Sequence, residues 1–262
     1  MYEPTGPCHR AFEVALPGRF PRVQGQPASG ARRFAEAAGT RARSDAVDAR
    51  MPARMGATLK LEPDAPMSRH LRLLKDLQTV RAALVKERTC LRNQSHVQTT
   101  PILKRQIKAR LTLIERQLAE IDAEIASQIA SDEALERKRH ILRRVPGLGP
   151  VAAALILTLL PEIGTLPRAQ AARLAGLAPH ARESGPWKGR SFIGGGRKPL
   201  RDALHMPALV AMRFNPDLKR KHESLRAAGK PANVALVALM RKLLETANAL
   251  VKADRLWTPK PA

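Results

Sequence analysis

A single serine lies in a strongly basic part of this sequence, in the stretch ARESGPWKGR from Ala181 to Arg190. Three interpretations of Ser184 are open: a turn residue, a helix cap, or a nucleophile beside a bound phosphate. Ser-Gly before Pro-Trp is typical of a turn. No general base is evident, because His180 is four residues away and the segment is not clearly helical. The local residues therefore favour the turn.

Two carboxylates, Asp45 and Asp48, are three residues apart in the stretch RSDAVDAR. In a helix this spacing places them on one face, about 5–6 Å apart at Cβ, where they could share a Mg²⁺ ion. Asp45 could also be a helix N-cap, with Asp48 in the first turn near the positive end of the helix dipole. The residues alone favour the cap.

Two glycine-containing stretches are suited to phosphate. Gly147 and Gly149 lie in VPGLGP, before an apolar run, and could leave N–H groups exposed at a helix start. That is the pattern of a helix-hairpin-helix element, which grips the DNA backbone, although a loop between two core helices would look the same. The second stretch, WKGRSFIGGGRKPLR, combines glycines with cations. Its candidate contacts are Lys188, Arg190, Gly194, Gly195, Gly196, Arg197, Lys198 and Arg201.

The charge of the chain points to a polyanion as its partner. Lys and Arg number 46 against 23 Asp and Glu, which gives a formal net charge of +23 over 262 residues. Nucleic acid fits this excess, because cations on the protein release counterions condensed on phosphates. Only 3% of residues are aromatic, which argues against broad base-stacking platforms.

The other classes of partner and site are weaker. The longest apolar run, Val151 to Leu160, is shorter than the roughly 20 residues that span a bilayer, so no membrane partner is expected. Two cysteines, Cys8 and Cys90, give neither a disulfide framework nor a metal-ligand spacing. A cytoplasmic protein is expected.

The elements that must position these residues are predicted to be mainly α-helical. Residues 61–140 read as a helical arm of two long helices with a break near 93–101, forming an antiparallel hairpin or a coiled coil between copies. Residues 141–257 read as a helical domain, with helices predicted at 168–176, 199–213 and 232–253. Residues 1–60 read as one short strand at 20–25, a short helix at 30–38 and a further helix that starts in 41–50, which is part of a domain rather than a whole one. The apolar seams of the arm are Leu73, Leu77, Val80, Leu84 and Leu91, then Ile107, Leu111, Ile114, Leu118, Ile121 and Ile125.

Several stretches together resemble one family. They are YEPTG at Tyr2, RSDAVDAR at Arg43, VPGLGP at Val145, the long AGLAPHARESGPWKGRSFIGGGRKPLRDALHMPALVA at Ala175, and GKPANVALVALMRKLL at Gly229. The chain is similar to insertion-sequence transposases with an amino-terminal RuvC-like DEDD domain and a carboxy-terminal serine domain. These are bridge-RNA-guided recombinases related to the Piv/MooV invertases.

The resemblance implies roles for the candidate residues. Glu3, Asp45 and Asp48 would be three of four acidic Mg²⁺ ligands, and Ser184 would be the nucleophile that joins covalently to DNA. DNA and a structured guide RNA would be the partners, and a homo-oligomer through the arm is expected. The first aspartate of the family precedes the glutamate. Residues 1–60 are therefore expected to be a truncated RuvC-like α/β remnant, and this chain alone is not expected to complete recombination.

Two other functions remain open. The chain could be a non-catalytic nucleic-acid-binding remnant. It could also be a coiled-coil interaction protein whose charge is incidental, in which case its binding would not depend on salt.

Overall fold

The computed structural model describes residues 50, 54–55, 57–58, 67–180, 183–184, 187–189 and 191–259. The chain divides after Ser68 into two units, and the fold described below is that of the second unit, Arg69–Ala262. The carboxylates Glu3, Asp45 and Asp48 lie outside the described residues. The strand and helices expected in residues 1–60 also lie outside them, apart from residues 50, 54–55 and 57–58.

The described part of the second unit is mainly helical, as predicted. Four of its helices carry proline in the first turn, where the missing N–H has no intrahelical partner in any case. The helices are α1 (Arg69–Val97), α2 (Pro101–Ala130), α3 (Glu133–Arg143), α4 (Pro150–Leu159), α5 (Arg168–Leu174), α6 (Lys198–Phe214), α7 (Pro216–Ala227) and α8 (Ala232–Lys252). Short strands between α5 and α6 are β1 (Pro179–His180), β2 (Glu183–Ser184), β3 (Trp187–Lys188) and β4 (Phe192–Ile193).

The two long helices α1 and α2 form an antiparallel hairpin within one chain. Ion pairs between the helices show that α1 and α2 run in opposite directions, because a residue later in α1 pairs with a residue earlier in α2. Arg81 Nε lies 2.6 Å from Asp122 Oδ1, and Glu87 Oε1 lies 2.8 Å from Arg110 Nη2. Of the two arrangements that the sequence left open, the structure contains the intrachain hairpin.

The apolar seam of the hairpin agrees with the prediction on α2 but not on all of α1. Ile107, Ile114, Leu118 and Ile125 are buried, with Leu111 and Ile121 partly buried. On α1, the prediction that Leu73 and Val80 lie in the seam is wrong. Their exposed fractions are 39% and 51%, whereas Leu74 is fully buried. The stretch LRLLKDL offers several apolar residues in a row, and packing of Leu74 into the main core decides the rotation of the helix.

The main core surrounds the short helix α4 and one face of α8. Helix α4 buries Ala152, Ala153, Ala154, Ile156, Leu157 and Thr158. The base of the arm joins this core through Leu74, Ile125 and Ile129. The outer part of the arm has a separate small cluster of Leu91, Ile107, Ile114 and Leu118. The arm is therefore anchored at its base and stabilised along its length by its own seam.

Two buried polar residues of α8 fasten the segment around α5. Asn248 accepts a hydrogen bond from Gly164 N and donates one to Leu166 O, both at 2.9 Å. The carboxylate of Glu245 is 3% exposed and lies 2.7 Å from the Nε atoms of Arg168 and Arg241. Burial raises the pKa of Glu245, but hydrogen bonds from the two arginines outweigh it and hold that pKa below its ordinary value.

The role of the arm seam can be tested with two leucines of α2. Leu118 is 5% exposed and Leu113 is 43% exposed. Leu118→Asp places a charge in the seam and should lower the free energy of unfolding by about 3 kcal/mol or more. Leu113→Asp should change it by less than about 1 kcal/mol. Urea unfolding followed by circular dichroism measures both, and equal losses would contradict the packing described.

The ion pairs of Glu245 with Arg168 and Arg241 predict a dependence of stability on pH. Because the pKa of Glu245 is lowered in the folded state, these pairs stabilise the fold above the unfolded-state pKa of about 4.3. Their contribution to the free energy of unfolding is lost as pH falls through the folded-state pKa. Glu245→Gln should therefore be less stable than the parent near neutral pH, and should lose less stability on acidification. Urea unfolding over an acid pH series measures this. Exposed Glu223 of α7 provides the control Glu223→Gln, which should follow the parent.

Candidate functional site

Ser184 lies on a pair of short antiparallel strands between α5 and α6. In this inner pair, β2 and β3 place Glu183 opposite Lys188 and Ser184 opposite Trp187. An outer pair, β1 and β4, encloses it in the sequence and places His180 opposite Phe192. The neighbouring helices end at Leu174 and begin at Lys198, so Ser184 is not a helix cap. The turn and the nucleophile remain as interpretations.

His180 has another contact in the outer pair. Its ring centroid lies 5.7 Å from that of Phe192, with the planes tilted by 38°. His180 lies on β1 and Ser184 on β2, so the four-residue spacing does not stack the two residues on one helix face. The structure therefore gives no support to His180 as a base for Ser184.

The strand pairs are attached to the helical core by a close crossing of two backbone segments. We call this the glycine crossing: residues 194–196 lie against residues 173–176 at the end of α5. A Cβ on Gly196 would lie 2.3 Å from Gly176 N, and one on Gly176 would lie 2.3 Å from Gly195 O. Both glycines also have positive φ, +60° and +65°. The crossing therefore requires glycine at both positions.

Two arginines from the predicted phosphate-binding stretch stabilise this crossing instead. Arg197 donates to both carboxylate oxygens of Glu162, at 2.8 and 2.6 Å, and its backbone N donates to Leu174 O at 2.6 Å. Arg201 Nη1 donates to Gly195 O at 2.9 Å. The hydrogen bond from Arg197 is the main reason why the pKa of Glu162 is lowered. Both guanidinium groups are thus engaged by the protein.

The other cations of that stretch are less constrained by protein contacts. Lys198 forms an exposed pair with Asp202, and exposed pairs of this kind contribute little, so its ammonium remains available to a ligand. Lys188 lies in the inner strand pair opposite Glu183. Arg190 lies outside the described residues.

The stretch VPGLGP joins α3 to α4, and its two glycines differ. Gly147 has φ +106°, and a Cβ there would lie 2.6 Å from Ala211 Cβ and 2.8 Å from Pro207 O of α6. Its role is close packing between core elements. Gly149 is the exposed N-cap of α4, and a Cβ there would meet no atom within 4 Å. Since the first-turn N–H groups of a helix have no intrahelical partners, Gly149 remains a candidate phosphate contact.

A cluster of cations that the sequence reasoning missed lies on one face of α3. Arg139, His140, Arg143 and Arg144, which we call the α3 cationic face, line a cavity of about 280 Å³ together with Glu136. Buried Ile141 and Leu142 hold the opposite side of the helix in the core. The available signal was the run ERKRHILRR directly before VPGLGP.

Comparison with known proteins identifies the kind of protein to which this region is similar. Residues 139–223 match the family model "Transposase IS116/IS110/IS902 family". The match begins at Arg139 on α3 and ends within α7. It therefore contains the α3 cationic face, the turn to α4, both strand pairs and the glycine crossing.

Curated relatives extend the similarity to most of the chain. The "Pilin gene-inverting protein" of Moraxella lacunata and that of Moraxella bovis are each 28% identical over 230 residues, which is 85% of this chain and 70% of each relative. An "Insertion element IS110 uncharacterized 43.6 kDa protein" from Streptomyces coelicolor is 26% identical over 156 residues, 59% of this chain and 38% of that protein. Together with the family model, these matches show that the chain is similar to the IS110/IS116/IS902 transposase family.

The described residues provide neither a metal-ligand cluster nor a membrane-spanning helix. Among the residues that the structure describes, no three His, Cys, Asp or Glu side chains are grouped so that they could hold a metal ion. The expected ligands Glu3, Asp45 and Asp48 are not among those residues. None of the described helices combines the length and apolarity needed to cross a bilayer.

The glycine crossing can be tested with neighbouring glycines that differ only in crowding. Gly195 and Gly196 have similar positive φ, +64° and +60°, but a Cβ on Gly195 would meet no atom within 4 Å. Gly195→Ala should cost about 1 kcal/mol from backbone strain alone. Gly196→Ala adds backbone clashes and should cost at least about 3 kcal/mol. Urea unfolding measures both, and equal costs would contradict the crossing.

Proposed function

We propose that this chain acts on DNA as a transposase or invertase-type recombinase, with Ser184 as the nucleophile. The observation that carries the proposal is that the inner strand pair with Ser184 lies inside the region matched to a transposase family, residues 139–223. The similarity to pilin gene-inverting proteins over 85% of the chain supports the same class of reaction.

The surrounding fold supports positioning of the serine. Catalytic groups must be held within about 0.5 Å of the productive geometry, and a two-residue strand pair is not rigid on its own. Here the chain leaves α5 through Gly176, passes through the strand pairs, and returns to the same place at Gly196. The Arg197–Glu162 ion pair and the Arg201 hydrogen bond close this loop on the helical core.

The proposed step is a phosphoryl exchange. The Ser184 hydroxyl oxygen forms a bond to phosphorus, and its proton departs. The bond between phosphorus and one bridging ester oxygen breaks, and the released DNA end takes up a proton. A hydroxyl of another DNA end then reverses the exchange, which rejoins the strands and frees the serine. One ester replaces another in each half, so no external energy source is required.

Nearby cations would stabilise the charge that builds on the phosphate. Lys188, Arg190 and Lys198 are the candidates from the basic stretch, since groups aimed at developing charge accelerate such reactions. Arg197 and Arg201 act through the crossing and belong to the positioning of the site. Gly149 at the start of α4 adds backbone N–H groups as a possible contact to DNA.

Mg²⁺ is part of the proposal through the resemblance to the family. Glu3, Asp45 and Asp48 would hold it, because carboxylate oxygens are the ligands that this hard cation prefers. A bound Mg²⁺ would help to activate the weak serine nucleophile and to neutralise phosphate charge. Calorimetric titration of Mg²⁺ into the chain and into Asp45→Asn/Asp48→Asn tests this site independently of catalysis.

Guide RNA and self-association complete the proposal. The resemblance to the family suggests a structured guide RNA as a second nucleic-acid partner. Exposed apolar residues where the two arm helices meet support association between copies: Val97, Ile102 and Leu103 are 74%, 52% and 44% exposed. Sedimentation of the chain and of Val97→Ser/Ile102→Ser/Leu103→Ser compares the oligomeric states.

The nucleophile is tested by covalent adduct formation with Mg²⁺, a guide RNA of the family type, and donor and target DNA. The assay compares the 262-residue chain with the same chain preceded by the amino-terminal segment of the Moraxella bovis relative, which would add any metal ligand carried there. An adduct is expected in the extended protein. Ser184→Ala should reduce it by at least about 10³-fold, because the attacking atom is removed.

Ser191→Ala is the matched control for this assay. Ser191 directly follows the stretch that contains Ser184 and lies between β3 and β4, so removal of its hydroxyl should leave the adduct unchanged. Adduct that persists in Ser184→Ala would overturn the assignment of the nucleophile. Binding of DNA without adduct in every arm would favour the second candidate, a non-catalytic nucleic-acid-binding protein, which the net charge of +23 also supports.

A further inference from the structure

The α3 cationic face differs from the other arginine clusters of the unit in how its charges are matched. Arg137 is paired with Asp254 at 2.8 Å, and Arg168 and Arg241 share the carboxylate of Glu245. Within the described part of the chain, neither Arg143 nor Arg144 has a carboxylate within ion-pair distance. Both side chains are exposed. Two permanent cations at the end of α3 therefore face solvent without a counter-charge from the described residues.

The geometry of the face groups these charges on one side of the helix. Residues 136, 139, 140, 143 and 144 are spaced by three and four, so they share one side of α3. They line the cavity of about 280 Å³. Glu136 is the one carboxylate in that lining, and its Oε2 lies 2.6 Å from Arg139 Nε. This pair engages Arg139 within the lining, and Arg143, Arg144 and His140 are left to face a ligand.

We propose that the α3 cationic face binds two neighbouring phosphodiester groups of a nucleic-acid backbone. Guanidinium groups match phosphate oxygens with two parallel hydrogen bonds, and two adjacent arginines suit the closely spaced charges along a strand. Among the described residues, no Phe, Tyr or Trp lines the cavity, so the face offers no such ring on which a base could stack. The contact is therefore to the backbone and independent of base sequence. The proposal rests on nucleic acid being the partner in the proposed function.

A purely structural role for the two arginines makes a different prediction. Cations near the end of a helix interact favourably with its dipole, and Arg143 is the last residue of α3. If that were their whole role, removing them would lower helix stability and leave nucleic-acid binding unchanged apart from the loss of net charge. A control with the same charge loss elsewhere therefore separates the two accounts.

The test compares Arg143→Gln/Arg144→Gln with Arg105→Gln/Lys108→Gln. Both pairs are exposed, and each double variant removes two positive charges, but the control pair lies on α2 of the arm. Binding to a fluorescent duplex DNA of arbitrary sequence, and to a single-stranded RNA, is measured over a salt series. For the first variant, the slope of log affinity against log salt should become shallower by about 1.5–2, and affinity should fall about 10-fold or more.

The outcomes separate this proposal from the proposed function. A loss with DNA, RNA or both that exceeds the loss in the arm control supports the site and identifies which nucleic acid it contacts. Arg143→Lys/Arg144→Lys should restore the salt slope but only part of the affinity, because the charge is retained while the paired guanidinium hydrogen bonds are lost. Equal losses in both double variants, with parent binding intact and unchanged circular dichroism, would overturn the α3 site alone. No binding of either nucleic acid by the parent chain would overturn both proposals.

Discussion

The close approach of Gly196 to Gly176 is the constraint on which the arrangement around Ser184 depends. With a Cβ at Gly196 only 2.3 Å from a backbone nitrogen, any side chain would force the two segments apart. The strand pairs contain two residues in each strand and have little stability of their own. Their placement relative to the core therefore follows from the crossing and from the hydrogen bonds of Arg197 and Arg201 that hold it.

The same structure divides the large positive charge into two kinds. Arg168, Arg197 and Arg241 are matched by acids: the pairs of Arg168 and Arg197 connect different segments of the unit, and that of Arg241 lies within α8. These pairs combine charge with hydrogen bonds, so they fix geometry as well as neutralise charge. Arg143 and Arg144 on α3 have no such partner within the described part of the chain. Net charge in the sequence thus indicates a polyanionic partner, but only the pairing shows which cations are left for it.

Much of the fold could be predicted from local patterns. The three- and four-residue spacing of the apolar residues in α2 predicted its buried face, and the helices predicted at 199–213 and 232–253 agree with α6 and α8 to within one residue at each end. The helix α7 was missed, because PDLKRKHESLRA has few apolar residues. It is stabilised by the buried Asn215 cap, whose Oδ1 accepts from the backbone N atoms of Asp217 and Leu218. The rotation of α1 depends on a distant contact and could not be read from its own sequence.

The candidate site was predictable in composition but not in the roles of its members. Glycine-rich and basic residues around Ser184 pointed to phosphate, but Gly147 and Gly196 are required by contacts with segments distant in the sequence. Arg197 could not be assigned to Glu162 without the fold, because 35 residues separate them. The run before VPGLGP carried a signal, yet only the helix geometry shows which of its cations share one face.

Amide hydrogen exchange at Arg197 tests most directly whether the crossing holds the strand pairs to the core. Its N–H donates to Leu174 O at 2.6 Å across the crossing. If the crossing opens only when the core unfolds, this amide should exchange as slowly as those of buried α8 residues such as Leu243. NMR measures both rates on the unmodified chain. Exchange of the Arg197 amide as fast as that of exposed Ser191 would show that the crossing opens without unfolding of the core, and would contradict its role in holding the strand pairs.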